Sequence, residues 1–117
     1  MKAAIVVLAD TDTHEALGRV VNALEAVKEF KDNGDDVQLI FDGAGSKWAV
    51  ELSRSDHKVH ALYAAVRDKV SGVCNYCSEA FGVKEQVKVS GAPLVGEFEG
   101  HPSFRHLLRD GYQVITF

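Results

Sequence analysis

The sequence is poor in the things that would place it quickly. Its 117 residues hold two cysteines, far too few for the disulfide framework of a small secreted domain. Lys and Arg total 13 against 17 Asp and Glu, for a net charge of −4. The cations are scattered, so a nucleic-acid partner has no electrostatic support. No apolar run is long enough to span a membrane; the most apolar, residues 3–9, is far short of the roughly 20 residues a helix needs. That run also lacks a leader's small-residue cleavage site and passes straight into Asp10, Thr11 and Asp12. A cytoplasmic protein with no membrane partner is the expectation. Repeats, linkers and low-complexity tracts are missing too, which leaves one domain over residues 1–117.

What is present suits a globular core: 46% of residues are apolar and 26% charged. Residues 3–9 are apolar without alternation, as in a parallel strand buried on both faces. Asp12 with Glu15 reads as a capping box. Leu17, Val20, Val21, Leu24 and Val27 then carry an amphipathic helix to about Lys31, where Asn33-Gly34 stops it. Residues 37–41 form a second strand. A Gly-rich turn follows, and then a short helix with Trp48, Val50 and Leu52. Val59, Leu62, Tyr63 and Val66 mark another helix, with Ser55 or Asp56 as its cap. A short strand around residues 70–73 leads into Cys74.

After Gly82, the alternation of residues 86–89 predicts a half-exposed strand. Residues 90–100 read as a Gly-rich loop, and Pro102 opens a helix bearing Phe104, Leu107 and Leu108. Residues 112–117 are the last strand. Strands alternating with helices imply an α/β domain: an open, mostly parallel sheet of about five strands with helices on both faces.

In such sheets ligands sit beyond the carboxyl ends of the strands. Asp10, Asp42 and Cys74 all fall at such ends, with Gly43 in the turn after Asp42. Cys74 and Cys77 are spaced C-x-x-C at a strand-to-helix turn. The first lies near unpaired helix N–H groups and the positive end of the helix dipole, which favour the nucleophilic thiolate. The dipole is worth up to about 2 kcal/mol, or roughly one and a half pKa units. The expectation is a Cys74 thiolate substantially populated near neutral pH. Cys77 lies one turn on, facing the core.

Among the histidines, His101 in the Gly-rich loop is the one to test as a neighbour of Cys74. A structural zinc site wants four ligands and commonly a second paired motif, which the sequence lacks, so no metal is assigned. The turn at residues 42–47 is neither a dinucleotide fingerprint nor a P-loop, because Trp48 stands where the third glycine belongs and Lys47 follows Ser46. No cofactor is expected.

Taken in order, Ala9-Asp10, the Phe41-Asp42-Gly43 turn, Val73-Cys74 before a short helix and Gly82, and the closing Leu107-Leu108-Arg109-Asp110-Gly111-Tyr112 resemble the DsrE/DsrF-like family. The resemblance implies a compact α/β domain assembling as a homo-oligomer, a trimer or hexamer. It also implies sulfane sulfur carried as a persulfide on the cysteine after the third strand, here Cys74, between sulfur donor and acceptor proteins. Cys77 departs from the plain relay pattern. Two other readings stay open: a non-catalytic oligomeric module binding a small ligand or a protein, and a dithiol redox protein using Cys74 and Cys77.

Overall fold

A computed structural model describes residues 1–117. Five strands form one parallel sheet: β1 (Lys2–Val7), β2 (Asp36–Phe41), β3 (Val70–Cys74), β4 (Leu94–Val95) and β5 (Gln113–Thr116). Their order is β4-β3-β2-β1-β5. The apolar run at the start of the chain is an interior strand, with Ile5 opposite both Leu39 of β2 and Ile115 of β5. Ala4, Ile5, Val6 and Val7 are completely buried, as a strand covered on both faces requires.

Six helices accompany the sheet: α1 (His14–Asp32), α2 (Trp48–Glu51), α3 (His60–Val66), α4 (Asn75–Ala80), α5 (Lys84–Ser90) and α6 (Phe104–Arg109). From β1 to β4 each crossover steps to the next strand in one direction. Right-handed connections therefore put their helices on one face. The main core lies there: Ala3, Ile5, Val7, Leu39, Phe41 and Val73 pack against Val20, Leu24 and Val27 of α1, Trp48, Tyr63, Val66 and Val87. The return from β4 to β5 runs the other way, so α6 crosses the opposite face. Leu107 there shares a small cleft with Gln38, Ile40 and Ser71. No helix is long and apolar enough to cross a membrane.

Several local expectations change. Residues 86–89 belong to α5, not to a strand. Val87 is buried while Val89 is 89% exposed, so the alternation does not mark one face. The spacing that counts is Val83 to Val87, one helical turn. The fourth strand is the two-residue β4, inside the stretch read as loop. Thr13, not Asp12, caps α1, its hydroxyl accepting from the Ala16 N–H at 3.0 Å. Glu15 turns outward to Arg19 at 2.8 Å rather than closing a capping box. Ser103 caps α6, with Pro102 one residue ahead of it. Neither Ser55 nor Asp56 caps α3; the chain enters it through Val59, whose N–H donates to His57 Nδ1.

Candidate functional site

The carboxyl ends of β2 and β3 build the site. β2 stops at Phe41. Asp42 stays extended and caps a 3-10 turn, Gly43–Lys47, by accepting the Gly43 N–H at 2.8 Å. This turn crosses the end of β1 so closely that a Cβ on Gly45 would lie 2.1 Å from the Val7 carbonyl oxygen. Trp48 fastens it with an indole N–H donated to the Ala9 carbonyl at 2.9 Å.

β3 delivers Cys74 as the cap of α4. The Cys77 N–H donates to Cys74 Sγ at 3.3 Å, the bond a serine or aspartate would accept at an ordinary N-cap. A tight turn then comes over the top from β4. Phe98 and His101 exchange two backbone hydrogen bonds at 3.0 and 2.8 Å, with Glu99 (φ 51) and Gly100 (φ 85) both left-handed between them. The Gly100 carbonyl accepts the Tyr76 N–H at 2.9 Å and receives Cys74 Sγ at 3.7 Å. A glycine belongs here on two counts, because a Cβ would also press to 3.2 Å from Tyr76 Cβ.

The result is a cluster of four side chains from three segments. His101 Nδ1 lies 3.4 Å from Cys74 Sγ and 3.9 Å from Cys77 Sγ, and Cys77 Sγ donates to Asp42 Oδ1 at 3.5 Å. All four potential ligand atoms fall within 4.8 Å of one another. Both cysteines are buried and free of any disulfide, while Asp42 and His101 are half-buried. The Tyr76 ring packs on the His101 imidazole, centroids 4.7 Å apart.

Of the residues expected to line a pocket, Asp42 and His101 therefore meet both cysteines, with Gly43 alongside. Asp10 does not. It sits at the end of β1, where Lys47 Nζ approaches it to 2.6 Å and, together with the Thr11 N–H, holds its carboxyl below the usual carboxylate range. The lysine of the Gly-rich turn thus braces β1 against the turn.

The expectation of a Cys74 thiolate near neutral pH is overturned. Burial pushes the Cys74 thiol strongly up. The Cys77 N–H pulls the other way, while the Cys77 side chain and Asp42 add to the rise. A helix end offers at most about 2 kcal/mol. Sealing the sulfur from water, at 0% exposure, costs the anion more than that. Tyr76 and Gly100 complete the site without any mark of residue type in the sequence. The only signals were their places, one inside the C-x-x-C pair and one beside His101.

The sequence matches the DsrE/DsrF-like family over residues 1–117. The chain belongs to that family. A relative in Methanocaldococcus jannaschii, the uncharacterized protein MJ0733, is 31% identical over 96 residues, which is 82% of this chain and 78% of the relative. Among solved structures, a conserved protein of unknown function from Bacteroides thetaiotaomicron, BT1422, superposes with a TM-score of 0.65 at 17% identity, over 97% of this chain and 94% of that one. The ychN protein of E. coli superposes at 0.57 and 14% identity over the full length of both. At those identities the two structures support the fold. DsrE/DsrF-like membership supports a role of the sulfur-relay type, and the chain has two neighbouring cysteines at the carboxyl end of β3.

Proposed function

We propose that this DsrE/DsrF-like protein is a sulfur-relay protein that carries sulfane sulfur as a persulfide on Cys74 and passes it to the thiol of a partner protein. The observation that carries the reading is His101 Nδ1, 3.4 Å from Cys74 Sγ. A thiol that burial keeps protonated needs a base within reach to become a nucleophile. His101 serves in the tautomer whose proton is on Nε2.

The Cys74 proton passes to Nδ1, and the thiolate attacks the terminal sulfur of a donor persulfide, R–S–SH. A bond forms between Cys74 Sγ and that sulfur, the donor's S–S bond breaks, and the departing R–S⁻ takes up the proton. An acceptor thiolate removes the sulfur by the same exchange. Cys77 adds an alternative exit. Its thiolate can attack Sγ of the Cys74 persulfide, giving a Cys74–Cys77 disulfide and releasing HS⁻, so that two thiols are oxidised as sulfane sulfur is reduced.

The oligomer belongs to the same reading. Phe104 and Leu108, one turn apart on α6, are 40% and 62% exposed, and Phe98 beside them is 65% exposed. These apolar side chains suit an interface between copies in a trimer or hexamer.

The test is the intact mass of metal-free, reduced protein after incubation with a small-molecule persulfide donor. One added sulfur atom per chain, lost in Cys74→Ser and kept in Cys77→Ser, is the expected result. If neither cysteine takes up sulfur in the folded protein, the relay reading fails and a non-catalytic binding module takes its place.

A further inference from the structure

We propose that Asp42, Cys74, Cys77 and His101 form a tetrahedral binding site for a divalent metal ion of the zinc class. The reading does not depend on persulfide chemistry and concerns a different use of the same four side chains.

Four ligands around zinc at bond lengths of about 2.0–2.3 Å stand roughly 3.3–3.8 Å from one another. The separations here are 3.4 Å for Cys74 to His101, 3.5 Å for Cys77 to Asp42 and 3.9 Å for Cys77 to His101. None of the four ligand atoms is more than 4.8 Å from another. Three of the six edges are thus close to those of one tetrahedron and none exceeds 4.8 Å, so side-chain shifts of roughly 1 Å would bring the four atoms onto a common centre. Without an ion the same contacts are hydrogen bonds, the Cys77 S–H donating to Asp42 Oδ1 and the Cys74 S–H facing His101 Nδ1, and a metal would take the place of both protons.

The donor set selects the ion. Two sulfurs, an imidazole and a carboxylate suit zinc-class ions and not magnesium or calcium, which prefer oxygen. The surroundings resemble those that orient metal ligands elsewhere. The Cys77 N–H donates to Cys74 Sγ at 3.3 Å, the Gly43 N–H donates to Asp42 Oδ1 at 2.8 Å, and the Tyr76 ring packs on the imidazole. Lys47, the cation of the neighbouring turn, is drawn off to Asp10. The sequence hides this site, because C-x-x-C supplies two ligands and the others stand 32 residues before Cys74 and 27 after it.

Four protein ligands close the coordination sphere, so the ion binds its ligands together instead of activating water. Binding replaces the two thiol protons with metal–sulfur bonds. A sulfur bonded to metal does not also carry sulfane sulfur, so metal and persulfide exclude each other.

Cobalt(II) titration of the reduced, metal-stripped protein tests the site without any sulfur donor. The expected result is saturation at one ion per chain, with intense visible bands of tetrahedral cobalt and a near-ultraviolet charge-transfer band of two thiolates, all abolished by added zinc. Cys74→Ser, Cys77→Ser, Asp42→Ala and His101→Ala should each weaken binding by more than the roughly 10–100-fold lost with an outer-shell partner. Weak octahedral absorption, or charge transfer from fewer than two thiolates, in the wild-type protein would overturn the site. So would affinity unchanged by Asp42→Ala and His101→Ala. The wild-type spectrum decides the matter even if a variant misfolds, and a protein that takes up no sulfur can still give it.

Discussion

Tyr76 and His101 stack with their ring centroids 4.7 Å apart and their planes inclined by 35°. The tyrosine is 57% exposed, so its contribution lies mainly in fixing the imidazole over the cysteines. Its backbone bond to Gly100 survives truncation. Tyr76→Ala should therefore cost no more than about 1.5 kcal/mol of stability while slowing sulfur uptake by Cys74 several-fold. Urea midpoints and uptake rates measured on the same preparation check this; equal uptake rates would show that the ring does not position His101.

Alkaline pH should destabilise the protein, and Cys74 should be the first cause. Its folded-state pKa is raised above the unfolded value, chiefly by burial. Below about pH 8.5 both states hold the proton and stability does not depend on this group. As pH rises further, the unfolded chain ionises while the folded chain does not. Stability then falls by up to about 1.4 kcal/mol per pH unit. Tyr63, whose buried hydroxyl has no hydrogen-bond partner and is likewise raised by burial, adds the same sign above about pH 10. Urea unfolding between about pH 8 and 10 should show the slope in the wild type and lose most of it in Cys74→Ser.

Two glycines should respond oppositely to alanine. At Gly45 the new methyl would meet the Val7 backbone, 2.1 Å from its oxygen and 2.7 Å from its carbonyl carbon. Backbone yields less readily than a side chain, so the loss should reach or exceed about 3 kcal/mol. Gly18 lies in the exposed middle of α1 with nothing within 4 Å of the new atom. Gly18→Ala should stabilise by about 0.5–1 kcal/mol. Chemical denaturation of both variants is sufficient.

Light scattering at micromolar concentration should find an assembly. Leu108→Glu on the exposed side of α6 should shift it toward the monomer without moving the cobalt spectrum. A clean wild-type monomer would remove the apolar side of α6 as an interface.

The order of elements was largely legible because burial leaves a plain mark. The unbroken apolar run at residues 3–9 suits a strand covered on both faces, and the spacing of Val20, Leu24 and Val27 suits only a helix. Val87 and Val89 admit two, and only packing against the core decides between them. The members of the cluster are legible one by one, since Asp42, Cys74, Cys77 and His101 carry chemistry by type, while Asp10, equally legible, lies apart from them. The convergence of the four is not legible, because it depends on a turn whose path is set by Gly100 and by a two-residue strand. The rise of the Cys74 pKa is hidden for a related reason. The helix end is visible in sequence, whereas the lid of backbone over the sulfur is tertiary.

That lid is lightly fastened. It hangs from the two-residue β4, the Val73 N–H bond to the Pro93 carbonyl, the Tyr76–Gly100 bond and its own pair between Phe98 and His101. Opening it breaks a handful of hydrogen bonds and leaves the core around α1 untouched. Modification of Cys74 in the native protein is then gated like the exchange of a protected amide proton. At low denaturant its rate should barely change with urea, because the fluctuation that uncovers the sulfur exposes little new surface. The thiol becomes a built-in gauge of how often this corner of the molecule breathes.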